Sequence, residues 1–185
     1  MRGWMNMKTL SIVSLVVSVF GLLVACSSIY VYASQGDSAI WNIKIQNLSA
    51  EKSGKATYVL PSISDTMLSD SKVTLSAPGD SVTFRFDVEN MGTLDATLGT
   101  IFHGDFQCNG VGVNALNDAK LVCDSLKYTL KYEDGTNALK NDLLNAGSSR
   151  KLELKILFDE KSKKLPSNSV VVSGFRLVMV YNQNV

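Results

Sequence analysis

From Ile40 onward, apolar side chains recur at every second position in run after run, and this constrains the fold more than any other feature. An extended chain points successive side chains to opposite faces, so each run carries one apolar and one polar face. Val82, Phe84, Phe86 and Val88 alternate with Thr83, Arg85, Asp87 and Glu89; this is the cleanest case. Trp41, Ile43 and Ile45 behave alike, as do Val73 and Leu75, and Leu94, Ala96 and Leu98. Leu126, Tyr128, Leu130 and Tyr132 form a further run, and Leu152, Leu154, Ile156 and Phe158 another. The last run, Val170 to Tyr181, is apolar on both faces, which predicts a central or covered strand. Half-apolar strands must bury one face against a second sheet. The expectation is all-β: a two-sheet sandwich of roughly seven to nine strands, immunoglobulin-like or jelly-roll. A short helix is expected within Val113 to Leu121. Asn109-Gly110, Asp134-Gly135 and Pro78-Gly79 mark turns. Gly79-Asp80-Ser81 and Gly147-Ser148-Ser149 each stand the same distance before a long alternating strand, which two similarly entered strands of one sandwich explain without a duplication.

The N-terminus has a different character. Leu10 to Ala33 is 24 residues without a charge, preceded by Arg2 and Lys8. A helix of that length spans about 36 Å, more than the hydrocarbon core of about 30 Å. Residues 1–33 are therefore expected to form a hydrophobic helix serving as signal peptide or transmembrane anchor, and 34–185 an extracellular β-sandwich domain. Val31-Tyr32-Ala33 followed by Ser34-Gln35-Gly36-Asp37 suits cleavage between Ala33 and Ser34. An uncleaved segment makes a single-pass anchor with the body outside, because Arg2 and Lys8 stay inside. Leu23-Val24-Ala25-Cys26 has the form of a bacterial lipobox, with Cys26 the residue to be lipidated, although apolar residues continue past it. As a plain residue, Cys26 is a small apolar side chain in a membrane helix.

Charge narrows the partners. The whole chain is +1; without residues 1–33 it holds 16 basic and 17 acidic side chains, net −1. That argues against nucleic acid, which selects a basic face. Partners are expected to be other copies of the chain, in a homo-oligomer or fibre, and the membrane through the N-terminal segment.

Reactive residues are sparse. Cys108 and Cys123 are the only cysteines of the body, and in an exported domain two cysteines pair most simply as a disulfide, here pinning a Gly- and Asn-rich loop. His103 is the only histidine. With Asp105 it has the composition of a general-base pair, but no Gly-x-Ser-x-Gly elbow accompanies it, and a polar strand-end residue is the ordinary reading. One histidine also excludes His-Glu-x-x-His zinc chemistry. Asp65, Asp70, Asp80, Asp87, Asp95 and Asp105 lack calcium-loop spacing and read as solvated turn and strand-face residues. Lys161, Lys163 and Lys164 read as a solvated loop, and Asn47-Leu48-Ser49 is a glycosylation sequon. No catalytic residue, cofactor or metal is expected, and the chain reads as a non-enzyme.

Several segments together resemble exported Gram-positive proteins of the TasA/camelysin type. They are Trp41-Asn42-Ile43-Lys44-Ile45, Pro78-Gly79-Asp80-Ser81-Val82-Thr83-Phe84 with Phe86-Asp87-Val88-Glu89-Asn90, Gly92-Thr93-Leu94-Asp95-Ala96, Leu126 to Leu130 before Asp134-Gly135, Ala146-Gly147-Ser148-Ser149, and Leu177 to Gln183. The resemblance implies a jelly-roll or sandwich subunit that assembles into extracellular fibres of a biofilm matrix by lending an N-terminal strand to a neighbour. Here the lent strand would begin at Ser34. Camelysin-type proteins have been classed as metallopeptidases, an activity that the lack of paired histidines does not favour. Cys108 and Cys123 stand outside the family pattern. The function expected is thus an exported surface or matrix structural protein. The alternative is a membrane-anchored extracellular binding or accessory module using the loop from Phe102 to Asp124.

Overall fold

A computed structural model describes residues 39–183, and the expected hydrophobic helix, Cys26, Ala33 and Ser34 lie outside the described residues. Among the described residues no helix is long and apolar enough to cross a membrane. The elements are β1 (Ile43–Ser53), β2 (Thr57–Val59), β3 (Ser62–Ser64), β4 (Met67–Leu75), β5 (Ser81–Asn90), β6 (Ala96–His103), β7 (Gln107–Asn109), α1 (Ala115–Asp124), β8 (Leu126–Tyr132), β9 (Leu143–Leu144), β10 (Ser149–Phe158) and β11 (Val170–Gln183).

Two antiparallel sheets pack as a sandwich, as the alternation requires. The first has the order β1-β5-β10-β8. The second runs β2-β4-β11-β6-β9, with β3 also on β4 and β7 also on β11. The strand count exceeds the expected range because β2, β3, β7 and β9 have only two or three residues each, too few to register as a pattern. The helix begins and ends a little later than expected, at Ala115 and Asp124.

One core joins the sheets. Val82, Phe84, Phe86 and Val88 of β5 meet Leu152, Leu154, Ile156 and Phe158 of β10 on the inner face of the first sheet. Leu68, Val73, Leu75, Phe175, Leu177 and Met179 line the second. Aromatic rings cross between the sheets: Tyr58 lies edge-on to Phe84 at 6.2 Å, and Tyr128 is 6.0 Å from Phe175. Burying a side chain of this kind contributes about 1.5–3 kcal/mol. The outer face of the first sheet is polar; Arg85 sits between Glu51 and Glu153, at 2.5 and 2.6 Å. As expected, β11 is central, between β4 and β6. The two similar glycine turns lead into β5 and β10, which are adjacent antiparallel strands pairing Phe84 with Leu154 and Phe86 with Leu152.

The Pro78-Gly79-Asp80 turn corrects one expectation. Asp80 is buried, not solvated. Its carboxylate accepts the backbone N–H of Lys55 (2.8 Å), Ser76 (2.7 Å) and Ala77 (2.9 Å). A strand of each sheet ends here, and three amides with no ladder partner need an acceptor. Gly79, at φ 93°, supplies the left-handed residue that aims Asp80 inward.

Candidate functional site

The sandwich is closed unevenly. On the flank where β6 and β8 face one another, each sheet ends in a strand with little beside it. Among the described residues the outer edge of β8 is met only at its end, by a bridge from Lys131 to Asn137 and a bond from Tyr132 N–H to the Thr136 carbonyl (2.8 Å). On β6, β9 covers only Ala96 and Thr97, and Asn141 and Asp142 reach Leu98. Among the described residues, Thr100–His103 of β6 and Leu126–Leu130 of β8 have no backbone partner on this side. An open edge of this kind is a template for another strand.

The side chains there are correspondingly half-covered. Leu126, Tyr128 and Leu130 point toward the core but are only partly buried, unlike the inward residues of β5 and β10. Ile101 is likewise partly buried, and Phe102 is 57% exposed on the outer side of β6. Across the flank the His103 ring lies edge-on to Tyr128 at 4.5 Å. Phe106 continues the aromatic group, with Phe175 and Tyr128 about 6 Å away. Desolvation lowers the His103 pKa from its ordinary value and raises that of the Tyr128 phenol. The Tyr128 hydroxyl is buried and has no hydrogen-bond partner among the described residues.

His103 is the exposed last residue of β6, the polar strand-end residue that its ordinary reading describes. Its ring packs on Tyr128 instead of pairing with Asp105, and among the described residues no hydrogen bond joins the two. Nor, among the described residues, does any group of three His, Cys, Asp or Glu side chains come together as a metal could require.

The flank is bounded at one end by the stapled loop. Cys108 of β7 and Cys123 of α1 form the expected disulfide, with Cα atoms 5.9 Å apart. Asn114 at the start of α1 makes no side-chain capping bond; its amide donates to Ser167 Oγ at 3.0 Å. Asp118, buried in the first turn, accepts the N–H of Ser167 (2.9 Å) and Asn168 (3.1 Å). The loop after β10 is thereby fastened to α1. Lys161, Lys163 and Lys164 are exposed on it, as expected. The other end of the flank is closed by the β8–β9 connection, where the Tyr132 hydroxyl donates to Asp142 (2.9 Å).

Alternation alone did not mark this flank, because β8 reads like any half-buried strand. The available signal lay after Tyr132, where the short, polar stretch from Glu133 to Asp142 contains no run able to cover β8. Asn47, of the sequon, is exposed, and its amide donates to Asp87 at 2.7 Å. Compared with protein-family models, curated proteins and solved structures, the chain finds no match.

Proposed function

We propose that the chain is an exported structural subunit of a cell-surface or extracellular-matrix assembly, of the TasA/camelysin type, joined to its neighbours by strand donation. The observation that carries this reading is the open flank, with two strand edges unpaired among the described residues and half-covered apolar side chains. The stretch from Ser34 of a neighbouring copy is the donated strand. The strand order supports a jelly roll over an immunoglobulin-like sandwich: β4-β11-β6-β9 lies opposite β5-β10-β8, and the chain changes sheet at nearly every long connection. The disulfide fits an oxidising compartment, hence an extracellular or cell-surface location. A second reading, a membrane-anchored extracellular accessory module, draws support from the exposed apolar residues on the loop between Phe102 and Asp124.

The first test is the N-terminal mass of natively expressed protein from membrane and medium fractions. A released form starting at Ser34, with filaments visible by microscopy, is the expected result. The second test blocks the edge with Thr100→Asp and Phe102→Asp, both at exposed positions. Monomers should fold and filaments should disappear. Filaments that persist refute the flank as acceptor, and a wholly retained, lipid-free N-terminus on unassembled protein favours the anchored module. A lipid mass on Cys26 favours the same module held as a lipoprotein.

A further inference from the structure

At the stapled end of the sandwich, apolar side chains stand out into solvent. Val113 is 104% exposed, Leu116 87%, Leu165 70% and Val111 54%. They come from two segments that the structure binds together. The Asn168 amide donates to the Val111 carbonyl at 3.2 Å, Asn114 donates to Ser167, and Asp118 holds the amides of Ser167 and Asn168. Lys164 and Leu165 share a shallow cleft with Asn114, Asn117 and Lys120. The disulfide ties this tip to β7, so the apolar residues sit on a braced projection. A cluster of exposed aliphatics on a monomer marks an interaction surface.

The charge around the aliphatics identifies the occupant. Around the tip, Asp124 is paired with Lys120 at 2.8 Å and Asp159 with Lys127 at 2.9 Å, while Asp118 is turned inward onto backbone amides. Lys161, Lys163 and Lys164 make no ion pair among the described residues, and Glu160 is the acid left beside them. The tip therefore presents projecting aliphatics with a basic margin. Exposed aliphatics with a basic margin match an anionic bilayer surface: aliphatics enter the acyl boundary while lysines meet headgroups. We infer that the Val111–Leu116 and Lys161–Leu165 loops together dock the domain on an anionic lipid surface. This inference is independent of strand donation, since the tip and the open edge are separate features.

The test uses full-length protein in vesicles, with and without phosphatidylglycerol, at low salt. The readout must be local, because the uncharged N-terminal run is itself expected to hold the chain on lipid. Leu116→Trp places a reporter on the tip and Thr129→Trp one on the outer face of β8, each read as a difference from the parent chain. The Leu116→Trp emission should shift to the blue and be quenched by brominated acyl chains when phosphatidylglycerol is present; Thr129→Trp should stay unquenched. Reversing the three lysines (K161E, K163E, K164E) should lower the docked fraction at least about tenfold, as should raised salt. Far-ultraviolet circular dichroism and a thiol count verify that each variant keeps its fold and disulfide. Absent quenching, or quenching that survives charge reversal, overturns the proposal. A blue shift that follows protein concentration instead of lipid also overturns it and assigns the tip to contact with a second copy.

Discussion

Replacing Asp80 by Ala should destabilise the domain by about 3–5 kcal/mol, although Asp80 belongs to a turn. The carboxylate is the acceptor for three backbone N–H groups, from Lys55, Ser76 and Ala77, all within 2.9 Å. Each donor left without a partner in this part-buried site costs about 1–3 kcal/mol, and water entering the vacated space recovers part of that. The residue also joins strands through its own backbone: its carbonyl accepts Phe158 N–H at 2.9 Å, which Ala retains. The loss therefore isolates the side chain. Asp80→Asn keeps the shape but exchanges one acceptor oxygen for a donor, so Lys55 N–H, or Ser76 and Ala77 N–H, must go unpaired. Its cost should fall between zero and that of Ala. Urea unfolding of parent and variants, read by fluorescence with unchanged m-values, gives the differences. A loss below about 1 kcal/mol for Asp80→Ala would refute the claim that this carboxylate holds the β1–β2 and β4–β5 turns together.

Three further outcomes follow from the flank and its staple. Cys108→Ser with Cys123→Ser opens a loop whose closing residues are 15 apart, and the chain-entropy estimate puts the loss at about 3 kcal/mol; urea midpoints check it, and an unchanged midpoint means that the Asp118 bonds alone order the loop. Tyr128→Phe removes a buried hydroxyl that has no partner among the described residues, so stability should rise by about 1 kcal/mol, and a fall of that size would reveal a bond the hydroxyl makes. His103 has a lowered pKa in the fold because burial disfavours its charged form, so the unfolded chain binds more protons between the folded value and about 6.5. Stability should therefore fall as pH drops below about 6.5, and His103→Gln should flatten that part of the profile; identical slopes in both proteins would show that His103 does not contribute.

How much of this was legible in the sequence depends on where the alternation keeps its phase. In β5, β8 and β10 it never slips, and the inward residues expected there are those that point into the sandwich. In β1, β4, β6 and β11 it slips once each. Ile43 and Ile45 point inward, then Leu48 and Ala50, with the register shift around Asn47 at φ 53°. Leu68 gives way to Ser71, Val73 and Leu75 past Asp70 at φ 61°, and Val170 and Val172 to Phe175, Leu177 and Met179 past Gly174 at φ 75°. On β6, Leu98 gives way to Ile101 beyond Gly99, opposite the shift between Val180 and Tyr181. Each slip is a bulge: one extra residue, a left-handed backbone at three of them, and a change of which parity faces the core. Asn, Asp and Gly tolerate that conformation, so the residue types carry the signal, but only as one reading among many for such residues.

These bulges account for both the success and the failure at the last strand. The apolar residues on its two faces placed β11 at the centre of its sheet, where it lies. Yet part of that two-faced character comes from the change of phase at Gly174, since Val170 and Val172 point to the same core as Phe175 and Leu177. The same bulge lets β11 pair first with β7 and then with β6 along one side. The second sheet can thus bend around the core and hand its edge from β7 to β6 across the short connection of residues 104–106. The open flank therefore results from backbone geometry more than from composition. Alternation says which strands are half-buried; which of their edges go unpaired is decided by bulges and by connections too short to supply a covering strand.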